Sequence, residues 1–135
     1  MWGSSINLLA LLAATLARMV LGAIWYAPPV FGRAWMALAG RTPEDMRAQM
    51  PKALAVDLIT SLVMAFVLVL AVRYTGASDI GQGAAVGLFA WLGFIGTTTA
   101  GVAVYERRPI RLLLITNGWQ VISLVVMGAI VAAWP

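Results

Sequence analysis

The sequence predicts an all-α integral membrane protein, built as an antiparallel bundle of four transmembrane helices with a short interfacial helix in the first loop. Composition is the first observation behind this prediction. Of the 135 residues, 62% are apolar and only 10% are charged, whereas a soluble domain is about half apolar and about a quarter charged. Because so few charged residues cannot cover a water-exposed surface, we expect most of the outer surface to face lipid.

The second observation is that the apolar residues are gathered into four long runs. Each run reaches the roughly 20 residues that are needed to cross about 30 Å of hydrocarbon. The predicted spans are residues 6–27, 53–74, 81–105 and 110–134, within a single domain of residues 1–135. Pro28 ends the first run, Gly76 is a C-terminal cap for the second, and Pro109 suits the first turn of the fourth. The first run has no basic start and is interrupted by Arg18, so we expect a retained span rather than a cleaved signal peptide.

The connection between the first two spans is the long one, and it contains a helix-start pattern. Thr42 is a suitable N-cap, Pro43 fits the first helical position, and Glu44 and Asp45 lie near the positive end of the helix dipole. This pattern predicts a short helix over residues 43–50, lying at the membrane interface. The alternative is an irregular loop.

Basic residues in the loops predict the orientation. The first loop carries Arg33, Arg41, Arg47 and Lys52, the third carries Arg107, Arg108 and Arg111, and the second carries Arg73. Lys and Arg favour the cytoplasmic side, so loops one and three are predicted to be cytoplasmic and both termini outside, in a bacterial inner membrane. We also expect four of these arginines to contact anionic lipid head groups, with a specific lipid site between spans three and four as an alternative. The four are Arg33, Arg107, Arg108 and Arg111.

Small residues predict how the spans pack, because close approach of helices in lipid depends on small side chains. Span three carries a GxxxG pair at Gly83 and Gly87, and the four-residue spacing continues through Gly93, Thr97 and Gly101. Span one has the same four-residue spacing at Ala10, Ala14, Arg18 and Gly22. These stripes indicate either packing within one chain or the contact face of a dimer.

Arg18 is the most informative residue in the predicted spans. It lies nine residues before the end of span one, which at 1.5 Å per residue is about 13 Å deep. An arginine near the middle of the membrane costs on the order of 3 kcal/mol or more. We therefore expect Arg18 to face the interior of the bundle.

The other three spans also place polar side chains in their cytoplasmic halves, whereas the outer halves are nearly all apolar. The candidate cluster around Arg18 comprises Asp57, Ser61, Thr97, Thr98, Thr99, Asn117 and Gln120. One interpretation is structural, with Arg18 paired to Asp57 and the rest satisfying one another. The other is a cytoplasm-facing cavity in which Arg18 binds an anion. A helical side chain projects toward the start of its helix, so Arg18 would have to fold back to reach Asp57.

Several function classes are disfavoured by what the sequence lacks. There is no Cys and no His, which removes thiol chemistry, His-assisted nucleophiles and most zinc sites. No catalytic residue, metal site or cofactor is predicted, and nothing indicates nucleic-acid binding. The sequence favours a non-enzymatic protein that acts through lipid or protein partners, as an accessory subunit or scaffold. The alternative is a small dimeric transporter or channel with a polar cavity around Arg18.

Five stretches resemble a known family. They are residues 22–28 (GAIWYAP), 31–36 (FGRAWM), 105–112 (YERRPIRL), 115–120 (ITNGWQ) and 127–130 (MGAI). Together they are similar to a bacterial membrane family called domain of unknown function 1761, over essentially the whole chain. The resemblance implies a four-span protein and implies no activity.

The chain departs from that family pattern at one place in the last span. Trp119-Gln120 stands where the resemblance would place a Tyr-His pair. A protonatable or metal-binding role at this position is therefore not expected in this chain.

Overall fold

The computed structural model describes residues 6–135, and this part of the chain is helical with no β-strand. The α-helices are α1 (Leu8–Trp25), α2 (Arg33–Ala39), α3 (Pro43–Thr75), α4 (Ile80–Ala90), α5 (Thr97–Tyr105) and α6 (Ile110–Ala133). Two π-helical segments, Pro28–Gly32 and Trp91–Gly96, lie between them. Four helical stretches are long and apolar enough to cross a membrane: Leu8–Trp25, Pro43–Thr75, Ile80–Tyr105 and Ile110–Ala133.

Helix α3 differs from the prediction, because the residues expected to form a separate short helix are its first turns. Its start is as expected: Thr42 and Asp45 form a capping box in which each side chain accepts a hydrogen bond from the other's backbone N–H. The helix then continues through Pro51 for 33 residues. That length corresponds to about 50 Å, so it exceeds the roughly 30 Å of hydrocarbon.

The third apolar stretch is interrupted by the π-helical turn Trp91–Gly96. A π-helical turn interrupts the regular i to i−4 hydrogen bonds of the backbone, so some carbonyl groups there need other hydrogen-bond donors. The hydroxyls of Thr97, Thr98 and Thr99 donate hydrogen bonds to backbone carbonyls four residues earlier, on residues 93–95. These three hydroxyls therefore bind the backbone of their own helix.

Helix α6 packs against α1, α3 and α4 and forms the centre of the bundle. Its closest approach is to α4, where a Cβ added at Gly83 would overlap the carbonyl of Gly128, and one at Gly87 would overlap that of Leu124. The GxxxG pair thus packs within the chain, as one of the two alternatives predicted. Cβ atoms added at Gly93 or Gly101 would meet nothing within 4 Å, so the rest of that stripe faces outward.

Helix α1 buries its small-residue stripe, as expected. The buried positions are Ala10, Ala14, Arg18 and Gly22. At the start of α1, the side-chain amide of Asn7 donates to the carbonyl oxygens of Trp134 and Pro135. At its end, the indole N–H of Trp25 donates to the carbonyl of Ile115 at 2.8 Å. Both ends of α1 are therefore tied to α6.

These contacts give the bundle two distinct ends. We call the end that carries residues 26–42 and 106–109 the basic end. The opposite end carries residues 76–79 together with Asn7 and Trp134. Residues 76–78, Asn7 and Trp134 border one small cavity there.

Candidate functional site

Arg18 lies in the interior with its guanidinium held from one side by α6. Its side chain is only 3% exposed. The Nη1 atom donates a hydrogen bond of 2.7 Å to the hydroxyl of Ser123. Its Cζ atom lies 4.1 Å from the centroid of the Trp119 ring, a distance typical of a cation–π contact. The indole N–H of Trp119 also donates to the Arg18 carbonyl at 3.3 Å.

The partners of Arg18 were not predicted from the sequence. Trp119 and Ser123 are four residues apart on α6, so they lie one above the other on the same helix face. Ser123 lies deeper than Trp119 along α6, and Arg18 reaches it by projecting toward the start of α1, as helical side chains do. A search for a hydroxyl one turn beyond Trp119 would have found Ser123.

Arg18 and Asp57 do not form the ion pair that was one of the two interpretations. Within residues 6–135, Arg18 makes no ion pair of 4.0 Å or less. Instead, both residues border one cavity of about 470 Å³, which we call the Arg18 cavity. Its walls are formed by α1, α6 and one face of α3. The lining residues are Arg18, Gln49, Lys52, Ala53, Val56, Asp57, Thr60 and Trp119.

The Arg18 cavity contains charges of both signs. Arg18 and Lys52 are positive, and Asp57 is negative. Ser61 is fully buried, and its hydroxyl donates a hydrogen bond to the Asp57 carboxylate. The Oγ–Oδ1 distance of 3.5 Å makes this bond long and weak. The Nε atom of Arg18 is buried and has no hydrogen-bond partner among the described residues.

Asn117 belongs to a different cluster, which joins the third and fourth apolar stretches. Its Oδ1 accepts from the indole N–H of Trp91 at 2.9 Å. Its Nδ2 donates to the Thr99 hydroxyl at 2.9 Å and to the Leu113 carbonyl at 3.1 Å. These bonds use three of the four hydrogen-bonding positions of the amide. The hydrogen bond between Asn117 and Thr99 therefore connects α6 to α5.

The remaining members of the predicted cluster are dispersed. Gln120 is half-buried, and its Oε1 atom is buried without a partner in the described part of the chain. Thr97 is exposed, and Thr98 borders a second cavity rather than the one beside Arg18. The structure therefore brings Asp57 to the cavity beside Arg18, with Ser61 in contact with Asp57, but does not bring all predicted residues into one site.

A cavity of about 850 Å³ lies at the basic end. It forms where α5 diverges from α6, and it is closed on the other side by α2 and the start of α3. We call it the basic-end groove. Its apolar lining is Tyr26, Pro28, Gly32, Trp35, Met36, Ala39, Pro43, Met46, Met50, Val102, Ala103, Leu112, Leu113 and Trp119. Its polar lining is Arg47, Thr98, Thr99, Arg108 and Thr116.

Two arginines line this groove. Arg108, one of the predicted head-group residues, donates from Nε at 3.2 Å and Nη2 at 3.0 Å to one carboxylate oxygen of Glu106. Arg47, which was not among them, lies 3.5 Å from Glu44. Such exposed pairs contribute only about 0–1 kcal/mol, so an anion could replace either glutamate. The other predicted head-group residues, Arg33, Arg107 and Arg111, are exposed outside the groove.

Comparison with known proteins gives one assignment. No curated protein and no solved structure matches the chain. A family model described as "Protein of unknown function (DUF1761)" matches residues 9–132, which include both cavities and all but the ends of the described chain. The chain belongs to the DUF1761 family of proteins of unknown function.

Proposed function

We propose that this protein is a non-enzymatic, antiparallel four-span bundle of the bacterial inner membrane that binds one anionic lipid in the basic-end groove. It would act through that lipid as an accessory subunit or scaffold, alone, as a homodimer or in a larger membrane complex. The observation that carries the proposal is an apolar groove bordered by two arginines.

The dimensions of the groove support a lipid occupant. Its volume of about 850 Å³ lies within the range of about 300–1,000 Å³ that is common for small-molecule sites. The lining extends from Arg108, beside the start of α6, to Trp119, nine residues into that helix. At 1.5 Å per residue this is a depth of about 14 Å. An acyl chain would lie along the apolar wall while its head group stays at the basic end.

The charges support an anionic head group. Arg47 and Arg108 are held only by exposed glutamates, so their guanidinium groups are available to a phosphate. If the basic end faces the cytoplasm, as the arginine count predicts, it lies in the leaflet that carries the anionic lipids. The first turns of α3 would then lie at the interface beside the head group.

Native mass spectrometry of protein purified in a mild detergent tests the proposal. We expect one phosphatidylglycerol molecule to be retained per chain. The double variant Arg47→Gln/Arg108→Gln should weaken retention by about tenfold or more, because each basic residue near a lipid surface contributes about 1 kcal/mol.

The matched control removes the same number of charges outside the groove. Arg33→Gln/Arg111→Gln should weaken retention less than the groove variant does, because both side chains lie outside the groove and attract the head group only from a distance. Equal losses in both double variants would show that the lipid is held by overall charge and not by the groove.

The transporter alternative has one observation in its favour, the cavity beside the buried charge of Arg18. It would require anion flux through proteoliposomes that depends on Arg18. An Arg18→Ala variant with full flux would exclude a role for this residue in transport.

A further inference from the structure

We propose that the Arg18 cavity is a second binding site, separate from the groove, for a small anionic group carrying a carboxylate or a phosphate. The site would be formed by Arg18 at its inner wall and Lys52 on α3. Its ligand chemistry is shared by free anions and by lipid head groups, and the experiment below distinguishes the two sources.

The position of Arg18 is fixed before any ligand arrives. Ser123 accepts from Nη1, the Trp119 ring covers one face of the guanidinium, and the side chain is 97% buried. A guanidinium held in this way loses little conformational freedom when it binds an anion. These contacts orient the cation without neutralising its charge, since a hydroxyl and an indole ring carry no formal charge.

The buried charge also lacks a counter-ion in contact. Arg18 makes no ion pair of 4.0 Å or less within residues 6–135, and its Nε atom has no partner there. A buried charge without a partner is strongly unfavourable. Asp57 borders the same cavity but does not contact Arg18. An anion in the cavity, which at about 470 Å³ has room for one, would place a negative charge in contact with the guanidinium.

The α3 wall of the cavity fits such a ligand. The α3 lining residues follow the spacing of one helix face, positions 49, 52, 53, 56, 57 and 60, and the polar ones among them are Gln49, Lys52, Asp57 and Thr60. Lys52 adds a second positive charge, and the side-chain amide of Gln49 adds hydrogen-bond donors, whereas the Thr60 hydroxyl donates to the Asp57 carbonyl. Asp57 is the opposing charge on this wall, and its carboxylate lowers the affinity of the site for anions.

Because Asp57 opposes anion binding while Lys52 favours it, neutralising the two residues should change the affinity for anions in opposite directions. A unit charge a few ångströms away changes binding by about fivefold even in a water-like dielectric. We therefore expect Lys52→Gln to weaken anion binding by about fivefold and Asp57→Asn to strengthen it by about fivefold. Lys52 is exposed and Asp57 is only half-buried, so both variants are expected to fold.

The experiment uses the full chain in two arms. In the first, lipid-depleted protein in a neutral detergent is titrated by calorimetry with sodium acetate and with inorganic phosphate. In the second, the chain is placed in nanodiscs containing only phosphatidylcholine or also phosphatidylglycerol, and the phosphatidylglycerol that remains bound on extraction is counted. Each arm is run with Lys52→Gln, Asp57→Asn and the control Arg111→Gln.

The results of the two arms distinguish a free anion from a lipid head group as the ligand. Opposite shifts for the two α3 variants in the first arm identify a free anion as the ligand. The same shifts in the second arm alone identify a lipid head group. Three outcomes would overturn the proposal: no anion binding in the first arm together with a phosphatidylglycerol count that Lys52→Gln and Asp57→Asn leave unchanged in the second, a change that is equal in Arg111→Gln, or weaker binding in Asp57→Asn. The groove can still bind lipid in each of these cases, because neither Lys52 nor Asp57 lines it.

Discussion

The ring of Trp119 lies over the guanidinium of Arg18 at 4.1 Å, and its indole N–H donates back to the Arg18 carbonyl. One residue of α6 therefore contacts both the charge and the backbone of α1. Trp119 also borders both the Arg18 cavity and the basic-end groove. It forms the wall between the two candidate sites.

This contact predicts a graded effect of substitutions at Trp119. Trp119→Phe keeps an aromatic face over Arg18 but loses the hydrogen bond and part of the packing against Gly22, so it should destabilise by about 1–2 kcal/mol. Trp119→Leu also loses the cation–π contact, which contributes about 2 kcal/mol when desolvated. Its total loss should reach about 3 kcal/mol in denaturant unfolding of the protein in mixed micelles. Equal effects of both substitutions would argue against the cation–π contact.

The α4–α6 contact predicts position-dependent effects of glycine substitutions. Gly83→Ala places a methyl group against the Gly128 carbonyl and should destabilise by about 1–3 kcal/mol. Gly93→Ala and Gly101→Ala meet open space, so they should be neutral or stabilise by up to about 1 kcal/mol through helix propensity. Thermal unfolding in detergent compares the three. A tolerated Gly83→Ala would mean that α4 and α6 do not approach this closely.

Asn117 and Gln120 are predicted to differ although both are amides on α6. Asn117→Leu leaves the indole N–H of Trp91 without its acceptor, which should destabilise by about 1–3 kcal/mol. Gln120→Met removes a buried carbonyl oxygen that has no partner in the described chain, so stability should be unchanged or higher. The same unfolding assay measures both. A destabilising Gln120→Met would show that its side chain makes a contact in the membrane.

Arg107 is predicted to be strained. Its φ of 53° lies in the left-handed region, which costs a residue with a Cβ roughly 1–2 kcal/mol. Arg107→Gly should therefore be more stable than Arg107→Ala by about 1 kcal/mol, although both remove the same charge. Comparing their melting temperatures separates backbone strain from electrostatics. Equal melting temperatures would contradict the strained turn.

Much of the fold could be predicted from residue patterns, because lipid imposes simple requirements. Four apolar stretches, the buried stripe on α1 and the inward position of Arg18 follow from hydropathy and from the cost of a charge in hydrocarbon. The continuity of α3 could not be predicted, because Pro51 locally disfavours a helix and only the whole helix offsets that preference.

The candidate sites could be predicted less well from the sequence than the fold could. Depth arguments gave each polar residue a height in the membrane but not a direction around its helix, so Asn117 and Arg18 were assigned to one cluster. Ser123 lies one turn from Trp119 on α6, but the sequence does not show which face of α6 meets Arg18. The groove exists because α5 diverges from α6 after the π-helical turn, and that divergence is a tertiary feature.

Filling the groove tests the central claim, lipid binding at the basic end, most directly. Ala103 lines the groove, whereas Ala100, one turn earlier on α5, is exposed and does not. Native mass spectrometry should show phosphatidylglycerol retained by the parent chain and by Ala100→Phe and lost from Ala103→Phe, because the added ring occupies the space of the acyl chain. Retention of the lipid by Ala103→Phe at the parent level would contradict the account.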